Sequence, residues 1–417
     1  MAMACGAFAV TPAREGASAA LQETDAAEPR ILAVDSESFR GKLAALNASS
    51  VTFQSERQKR ELALDDFLMW GAIVEPPAFS RITANESVRF VLAGGGFFTA
   101  DLMSADVDAV VVESLAIGSR EIPLTQIAAI LLPPPTDAER ADELIAGLLK
   151  DRPSADQAML SNGDAVQGTL TEIDIKGAET VFSMETDSGK LPLEIANVRA
   201  ITFDPRMLNA RREPEQFRIC LTDGSMLHVD ELSITNGKAK FSPFVGATWE
   251  VSLERVAYVD YANPRVQWLE ARQPDQYQHV PFLSGQWQWQ PGKNVLGQAL
   301  KAQGQRYAHG VGTHSACQVV YVLREPMERF EAEIAIDDAG QLGNAVFRVV
   351  TYARQDGQTV RSEKFASSAV RAGDAPLQVS VDLQGAVGLG LIVEFGEFGD
   401  QQDYANWLNA RLIKSQE

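Results

Sequence analysis

The sequence is poor in the residues that most often bind metals or form disulfides, with three cysteines and four histidines among 417 residues. The cysteines show no C-x-x-C or Cys/His metal spacing. Cys5 would leave with a signal peptide, so at most one disulfide is possible. Cys220 and Cys317 lie in alternating, strand-like segments, and we expect them to be buried free thiols.

The sequence also lacks long apolar runs and familiar catalytic motifs. No run reaches the roughly 18 apolar residues of a membrane span. There is no G-x-S-x-G, no P-loop and no G-x-G-x-x-G that opens a helix. We therefore predict no membrane insertion, no cofactor and no enzymatic activity.

Basic residues are outnumbered, with 37 Lys and Arg against 56 Asp and Glu and a net charge of −19. This balance argues against a nucleic-acid partner, whose phosphates require clustered basic side chains. It fits a secreted or periplasmic protein, although many cytosolic proteins are equally acidic. Residues 1–28, with a short apolar start and Ala17-Ser18-Ala19, resemble a signal peptide remnant or, equally, a disordered tail.

The hydrophobic pattern has a period of two almost everywhere, which predicts a mostly β protein. Examples are "VRFVL", "AVVVES", "FRICL" and "LQVSVDL". The clearest helical pattern covers residues 135–150, with Thr136 or Asp137 as its cap, and Pro133-Pro134-Pro135 stops the strand before it.

Four segments in the first 265 residues share one apolar pattern, and three of them follow a similar Gly-containing element. We interpret them as an array of small β-barrel-like repeats of SH3 or Sm type, with a single irregular β domain as the alternative. The predicted units are residues 29–80, 81–134, 153–210 and 211–265, with a helical linker at 135–152. The four segments are "LALDDFLMW", "IPLTQIAAI", "LEIANVRAI" and "VSLERVAYV".

Residues 266–417 differ, with about eight longer strands and loops rich in Gly and Asp. This count predicts an antiparallel β-sandwich or jelly roll. In "YAHGVGTHSACQVVYVL", Gly310 and Gly312 mark a turn before a strand. The turn separates His309 from His314, and this spacing does not match the i, i+4 helical pair that binds zinc. We expect His309 to be exposed.

Three separate motifs in this region resemble the NPCBM family of carbohydrate-binding modules, which is found beside family-98 glycoside hydrolases. They are "HGVGTHSACQVVYVL", "RFEAEIAIDDAGQLGNAVFRVVTYARQDG" and "VDLQGAVGLGLIVEFGEFGDQQDYANWLNARL". The resemblance covers about residues 278–417 and implies a galactose-binding-like sandwich. The Asp-His-Ala-Asp-Trp signature of the family reads Asp403-Tyr404-Ala405-Asn406-Trp407 here.

The candidate ligand-binding residues lie in the loops of this sandwich, and each has a structural alternative. His314 could contact a sugar or fix the turn by bonding to the backbone. Asp337 and Asp338 could bind hydroxyls, hold a structural calcium ion or cap a hairpin. Trp407 could stack on a sugar ring or belong to the core. The full set is His314, Asp337, Asp338, Asp403, Tyr404, Asn406 and Trp407.

"GQWQWQ" places Trp287 and Trp289 on one face, either at a strand edge near the site or in the first core strand. These features predict non-catalytic binding of a glycan or cell-envelope polysaccharide by a secreted or periplasmic multi-module protein. An alternative is a structural or assembly protein of the cell envelope that uses its β modules for protein contacts and has lost glycan affinity. A third possibility is a glycoside hydrolase with an unrecognised site, which would need two facing carboxylates.

Overall fold

The computed structural model describes residues 29–35, 38–55, 58–74, 88–106, 108–132, 138–150, 154–176, 180–209, 215–281, 285–397 and 399–415. The signal segment predicted at 1–28, the prolines at 133–135 and the predicted caps Thr136 and Asp137 lie outside these residues. Within them, no helix is long and apolar enough to cross a membrane.

Eleven strands run from residue 30 to residue 131. They alternate buried and exposed side chains or are buried throughout, as the period of two predicts. The strands are β1 Arg30–Ala33, β2 Ser38–Arg40, β3 Lys42–Leu46, β4 Ser50–Gln54, β5 Lys59–Ala63, β6 Phe67–Gly71, β7 Val88–Leu92, β8 Gly96–Ala105, β9 Ala109–Ser114, β10 Gly118–Pro123 and β11 Ile127–Leu131.

A second set of eleven strands runs from residue 156 to residue 261. They are β12 Asp156–Leu160, β13 Ala165–Asp174, β14 Val181–Thr186, β15 Gly189–Glu194, β16 Val198–Thr202, β17 Phe217–Leu221, β18 Met226–Val229, β19 Leu232–Thr235, β20 Lys238–Phe241, β21 Trp249–Ser252 and β22 Val256–Tyr261. The helix α1, Ala138–Lys150, separates the two sets. Its side chains Leu144, Ile145, Leu148 and Leu149 pack against β7 and β11.

The apolar pattern noted four times in the sequence has one local structure each time. A strand ends, a single 3₁₀ turn follows, and the closing strand of that stretch begins. The turns are Leu64–Asp66, Leu124–Gln126, Ile195–Asn197 and Leu253–Arg255. In each case, the residue that follows the turn donates its backbone N–H to the carbonyl oxygen of the first residue of the turn. The pattern therefore marks a local backbone geometry as well as hydrophobicity.

The closing strands join distant parts of the chain. β6 pairs with both β1 and β22, and β11 pairs with both β7 and β16. β8 pairs with β18, and this pairing joins the strands around β11 to the strands around β6. The described residues from 30 to 261 also share one hydrophobic core, so these stretches pack as one body. The SH3 or Sm type of the units and the predicted unit limits stay predictions.

The last third is an antiparallel sandwich of two sheets. Its strands are β23 Val266–Trp268, β24 Gln276–His279, β25 Gln290–Pro291, β26 Lys301–Ala302, β27 Gln305–Arg306, β28 Gly310–His314, β29 Cys317–Val322, β30 Met327–Ile336, β31 Asn344–Gln355, β32 Gln358–Ala366, β33 Val370–Arg371, β34 Leu377–Asp382, β35 Ala386–Phe395 and β36 Tyr404–Lys414. One sheet has the order β25-β28-β36-β30-β34, and the other β24-β29-β35-β31-β32. The mostly β class and the sandwich are confirmed.

Both described cysteines are buried free thiols, Cys220 in β17 and Cys317 in β29. Burial in apolar surroundings raises the pKa of the Cys220 thiol to about 11 and that of Cys317 to about 12. They are therefore protonated, unreactive core residues at neutral pH.

The sandwich is docked onto the first part of the chain. β23 adds to the edge of β36, and Leu32, Leu68 and Ile413 form a small buried cluster across the junction. Arg30 donates two hydrogen bonds to the Glu333 carboxylate, at 2.7 and 2.8 Å.

His309 lies in this junction, so the expectation that it is exposed is wrong. Its ring is 4% exposed, stacks on Trp268 at 3.8 Å, and contacts Asp260 at 2.8 Å and Glu270. Burial alone would lower its pKa, but the two carboxylates outweigh burial and raise the pKa of His309 to about 9. The sequence pattern does not show that Asp260, 49 positions earlier, faces this turn.

Candidate functional site

The register of β28 on β36 builds one end of the sandwich. His314 lies directly opposite Tyr404 in this antiparallel pair. Gly312 allows the loop after β25 to pack against β28, because a Cβ at this position would lie 2.4 Å from the Lys293 carbonyl oxygen. Gly310 and Gly312 lie within β28 and not in the predicted turn, and both serve close backbone packing.

Four rings meet at this end, and we call them the aromatic cluster: His279, Trp287, His314 and Tyr404. The Trp287 ring is parallel to the His314 ring, with centroids 4.8 Å apart. Tyr404 stands edge-on to both, at 6.0 Å from each. Trp287 and Tyr404 are half-buried, whereas His279 and His314 are buried. Part of the Trp287 surface thus stays open to solvent.

Buried polar atoms without partners surround this cluster. They are Nε2 of His279, Nδ1 of His314, Oγ of Ser315 and Oδ2 of Asp403, none of which has a hydrogen-bond partner. The Ser315 hydroxyl is close enough to Asp403 to lower the pKa of that carboxyl, but the two groups lack hydrogen-bond geometry. Buried polar groups are nearly always satisfied by protein, water or ligand, so this concentration makes the end of the sandwich a candidate site.

The charges of these groups follow from burial. Burial raises the pKa of Asp403 to about 6, while the Asn344 N–H and Ser315 oppose the rise. Burial also lowers the pKa values of His279 and His314. At neutral pH the site therefore presents two uncharged imidazoles and one carboxylate, which can exchange hydrogen bonds with hydroxyl groups.

Asp337 is placed elsewhere, beneath the loop that follows β25. Its side chain is buried, and its oxygens accept hydrogen bonds from the Asn294 and Asn406 amides and from the backbone N–H groups of Lys301 and Ala339. This carboxylate holds two loops in place and is inaccessible to a sugar, contrary to the prediction that it binds ligand.

Asp338 is exposed and caps the β26–β27 hairpin. It accepts the N–H groups of Gln303 and Gly304, both at 2.8 Å. Because N–H donors face both carboxylates, their surroundings do not suit the calcium ion considered at Asp337 and Asp338. No cluster of three or more metal-ligating side chains occurs in the described part of the chain.

The C-terminal signature is split by strand alternation. Tyr404 joins the aromatic cluster, and Asn406 is buried and bonded to Asp337 at 2.7 Å. Trp407 points into the core and is fully buried against Phe347 and Phe330, with ring centroids 5.2 and 6.2 Å away. Asn406 and Trp407 are thus structural residues, and their assignment to the ligand site is wrong.

Of the predicted residues, the structure brings together His314, Asp403 and Tyr404. The sequence analysis missed His279 and Ser315, and it left Trp287 between an edge and a core position. The alternation in "GQWQWQ" was the available signal for Trp287. For His279, only the rarity of histidine in this chain gave any indication.

Comparison with known proteins supports the resemblance seen in the sequence. Residues 268–413 match the NPCBM/NEW2 domain. A curated relative from Renibacterium salmoninarum, named "Putative endo-alpha-N-acetylgalactosaminidase", is 31% identical to this chain over 120 residues. These residues make up 28% of this chain and 7% of the relative, so the chain spans a small fraction of the relative's length.

Several solved structures are similar to this chain, and two of them are carbohydrate-binding modules of glycoside hydrolases. A CBM51 module from Clostridium perfringens GH95, in complex with methyl-galactose, is 22% identical, with a TM-score of 0.29, and covers 36% of this chain and 99% of its own. The tandem CBM51 modules of a family 98 glycoside hydrolase from Streptococcus pneumoniae are 12% identical, with a TM-score of 0.30, over 65% of this chain and 91% of theirs.

Proposed function

We propose that this chain binds a glycan without cleaving it, through the end of the NPCBM/NEW2 sandwich where the aromatic cluster lies. The observation that carries the proposal is the half-exposed Trp287 ring, backed by His314 and surrounded by buried polar atoms without partners. A sugar requires this combination of an aromatic face for its apolar side and polar groups for its hydroxyls.

The contacts suggest how a sugar ring would be held. His314 fixes the plane of the Trp287 ring, and Tyr277 further holds this segment by donating its hydroxyl hydrogen to the Trp287 carbonyl at 2.7 Å. Asp403, with one oxygen bonded to the Asn344 N–H, has a second oxygen left to accept a hydroxyl. The site is thus organised before the ligand arrives, which lowers the entropic cost of binding.

The family match supports binding as the role of this domain. The curated relative carries a glycosidase name, but the 120 aligned residues are 7% of that protein and so provide no support for catalysis in this chain. We propose a secreted or periplasmic setting with a cell-envelope polysaccharide as partner. The match to the NPCBM/NEW2 domain supports this setting.

The test is a glycan array and polysaccharide pull-down with the full chain, its Trp287→Ala variant and a Gln288→Ala control. We expect the wild type to bind, Trp287→Ala to lose about tenfold or more in affinity, equal to about 1.4 kcal/mol, and Gln288→Ala to bind normally. Gln288 is exposed and adjacent to Trp287, so it controls for changes to the segment itself.

Unchanged binding by a folded Trp287→Ala variant would place the glycan elsewhere. If the folded wild type binds no glycan, the assembly role through protein contacts is favoured instead. Trp407→Ala is unsuitable for this experiment, because removing a fully buried core ring would report unfolding as loss of binding.

A further inference from the structure

A cavity of about 380 Å³ lies between the strands of residues 88–229, the helix α1 and the sandwich. Arg89 of β7 and Arg218 of β17 line it from one side, and Asp142 of α1 from another. Arg306 and Tyr307 line it from the sandwich. It shares no lining residue with the aromatic cluster.

The side chains around this cavity are unusually basic for this chain. Three guanidinium groups and one carboxylate line it, although acidic residues outnumber basic ones 56 to 37 in the sequence. His228 also lines the cavity, where it contacts Glu215. Arginine is therefore the main charged residue type in the lining of this cavity.

Of the residues that line the cavity, Arg89 most clearly lacks hydrogen-bond partners. Its side chain is 1% exposed, and its Nε and Nη1 atoms have no hydrogen-bond partner. Asp142 is the carboxylate paired with it, 3.7 Å from Nη1, and the Phe97 ring covers its guanidinium at 4.3 Å. Burial lowers the pKa of Arg89, an effect that Asp142 only partly opposes. Leaving hydrogen-bond donors of a buried charge unsatisfied costs on the order of several kcal/mol.

The other two arginines are also loosely paired. Arg218 lies 3.8 Å from Asp260 and 3.9 Å from Glu215, and Arg306 lies 3.6 Å from Asp142. These separations exceed hydrogen-bond length. Asp338 caps the hairpin that carries Arg306, so this arginine is held towards the cavity by a fixed turn.

We propose that this cavity binds an oxyanion of the phosphate, sulfate or carboxylate class between the guanidinium groups of Arg89, Arg218 and Arg306. Guanidinium groups bind such anions with paired, charge-assisted hydrogen bonds. The bound anion would supply the missing partners of Arg89. The inference is independent of the glycan proposal.

The test measures binding of potassium phosphate, sulfate and glucuronate to the full chain by calorimetry and thermal unfolding, against potassium chloride at equal ionic strength. We expect saturable binding and a rise in Tm with at least one of the three. A response to glucuronate alone would identify an acidic sugar as the source of the oxyanion, and a response to phosphate or sulfate a tetrahedral anion.

Arg89→Met should lose about tenfold or more in anion affinity while keeping or raising the Tm without anion, because it removes a buried charge with unsatisfied hydrogen-bond donors. Arg371→Gln changes an exposed arginine outside the cavity and should bind normally. Arg306→Gln, at a less buried position, replaces Arg89→Met if that variant fails to fold. Absence of saturable binding in the wild type, or equal affinity in the cavity variants, would overturn the proposal.

Discussion

At the scale of single residues, Asp403 illustrates how the candidate site differs from the core around it. Its Oδ1 accepts the Asn344 N–H at 2.8 Å, but its Oδ2 is buried without a partner, and burial raises its pKa to about 6. At neutral pH the protein therefore holds an ionised carboxylate at a cost to its own stability. Such a cost is common where a group serves a ligand.

We predict that Asp403→Asn raises the Tm more at pH 7.5 than at pH 4. The folded pKa, about 6, lies above the ordinary value of 3.8, so the wild type gains stability as the pH falls through 6. The asparagine keeps an acceptor for the Asn344 N–H but carries no charge. Thermal unfolding at both pH values tests this, and an equal shift at both would contradict it. If Asp403 accepts a sugar hydroxyl, the more stable variant should bind glycan more weakly.

The sequence allowed only part of this site to be predicted, for a physical reason. A motif such as Asp403-Tyr404-Ala405-Asn406-Trp407 is read as a unit, but neighbouring side chains of a strand point to opposite faces. Tyr404 therefore reaches the cluster, whereas Trp407 fills the core. His279 comes from a strand of the other sheet, and its contact with His314 depends on sandwich packing that no local pattern encodes.

At the scale of elements, the strands were accessible to sequence analysis, but the 3₁₀ turns and the pairing partners of the strands were not. The apolar pattern correctly marked four equivalent places, because each begins its turn with a buried or half-buried Leu or Ile. Alternation shows which face of a strand is buried and says nothing about which strand lies beside it. The pairing of β6 with β22 is one such unpredicted contact.

Gly71 in β6 permits that contact. Its φ is +89°, and a Cβ there would lie 2.0 Å from the Ala257 carbonyl oxygen. We predict that Gly71→Ala lowers the free energy of unfolding by about 2 kcal/mol or more, because backbone strain and a clash add together.

Gly118→Ala is the matched control. Gly118 also has a positive φ, +69°, but nothing lies within 4 Å of its Cβ position. The Gly118→Ala variant should lose only the backbone contribution to the free energy of unfolding, about 1 kcal/mol. Denaturant unfolding of both variants gives the comparison, and equal losses would show that the close approach at Gly71 is unimportant.

At the scale of the whole molecule, the buried contact of His309 with Asp260 and Glu270 joins the sandwich to the rest of the chain. The pKa of His309 is raised to about 9 and that of Asp260 is lowered, although burial acts against both shifts. Both directions show that the charged pair is favoured in the folded state. Arg218 adds a further positive charge on the Asp260 side.

We predict that this pair makes stability depend on pH in the alkaline range. Because the folded pKa of His309 exceeds its ordinary value of 6.5, the stabilisation is complete below pH 6.5 and is lost as the pH rises through 9. Denaturant unfolding at pH 6 and pH 9.5 should show the advantage of the wild type over His309→Gln shrinking by about 3 kcal/mol. If the difference in unfolding free energy between wild type and His309→Gln stays constant from pH 6 to pH 9.5, the stabilising role of the His309 charge is refuted.

The pairing of β6 with β22 also has a consequence for synthesis of the chain. Trp70 pairs with Val259, about 190 residues later. At about 5–20 residues per second, a ribosome needs roughly 10–40 s to make the intervening chain. During that time the outer edge of β6 has no partner, and open strand edges are the usual route to aggregation. The nascent chain therefore cannot complete this sheet until β22 has been made. The rate of translation, or a chaperone that covers the edge of β6, thus becomes part of the folding process.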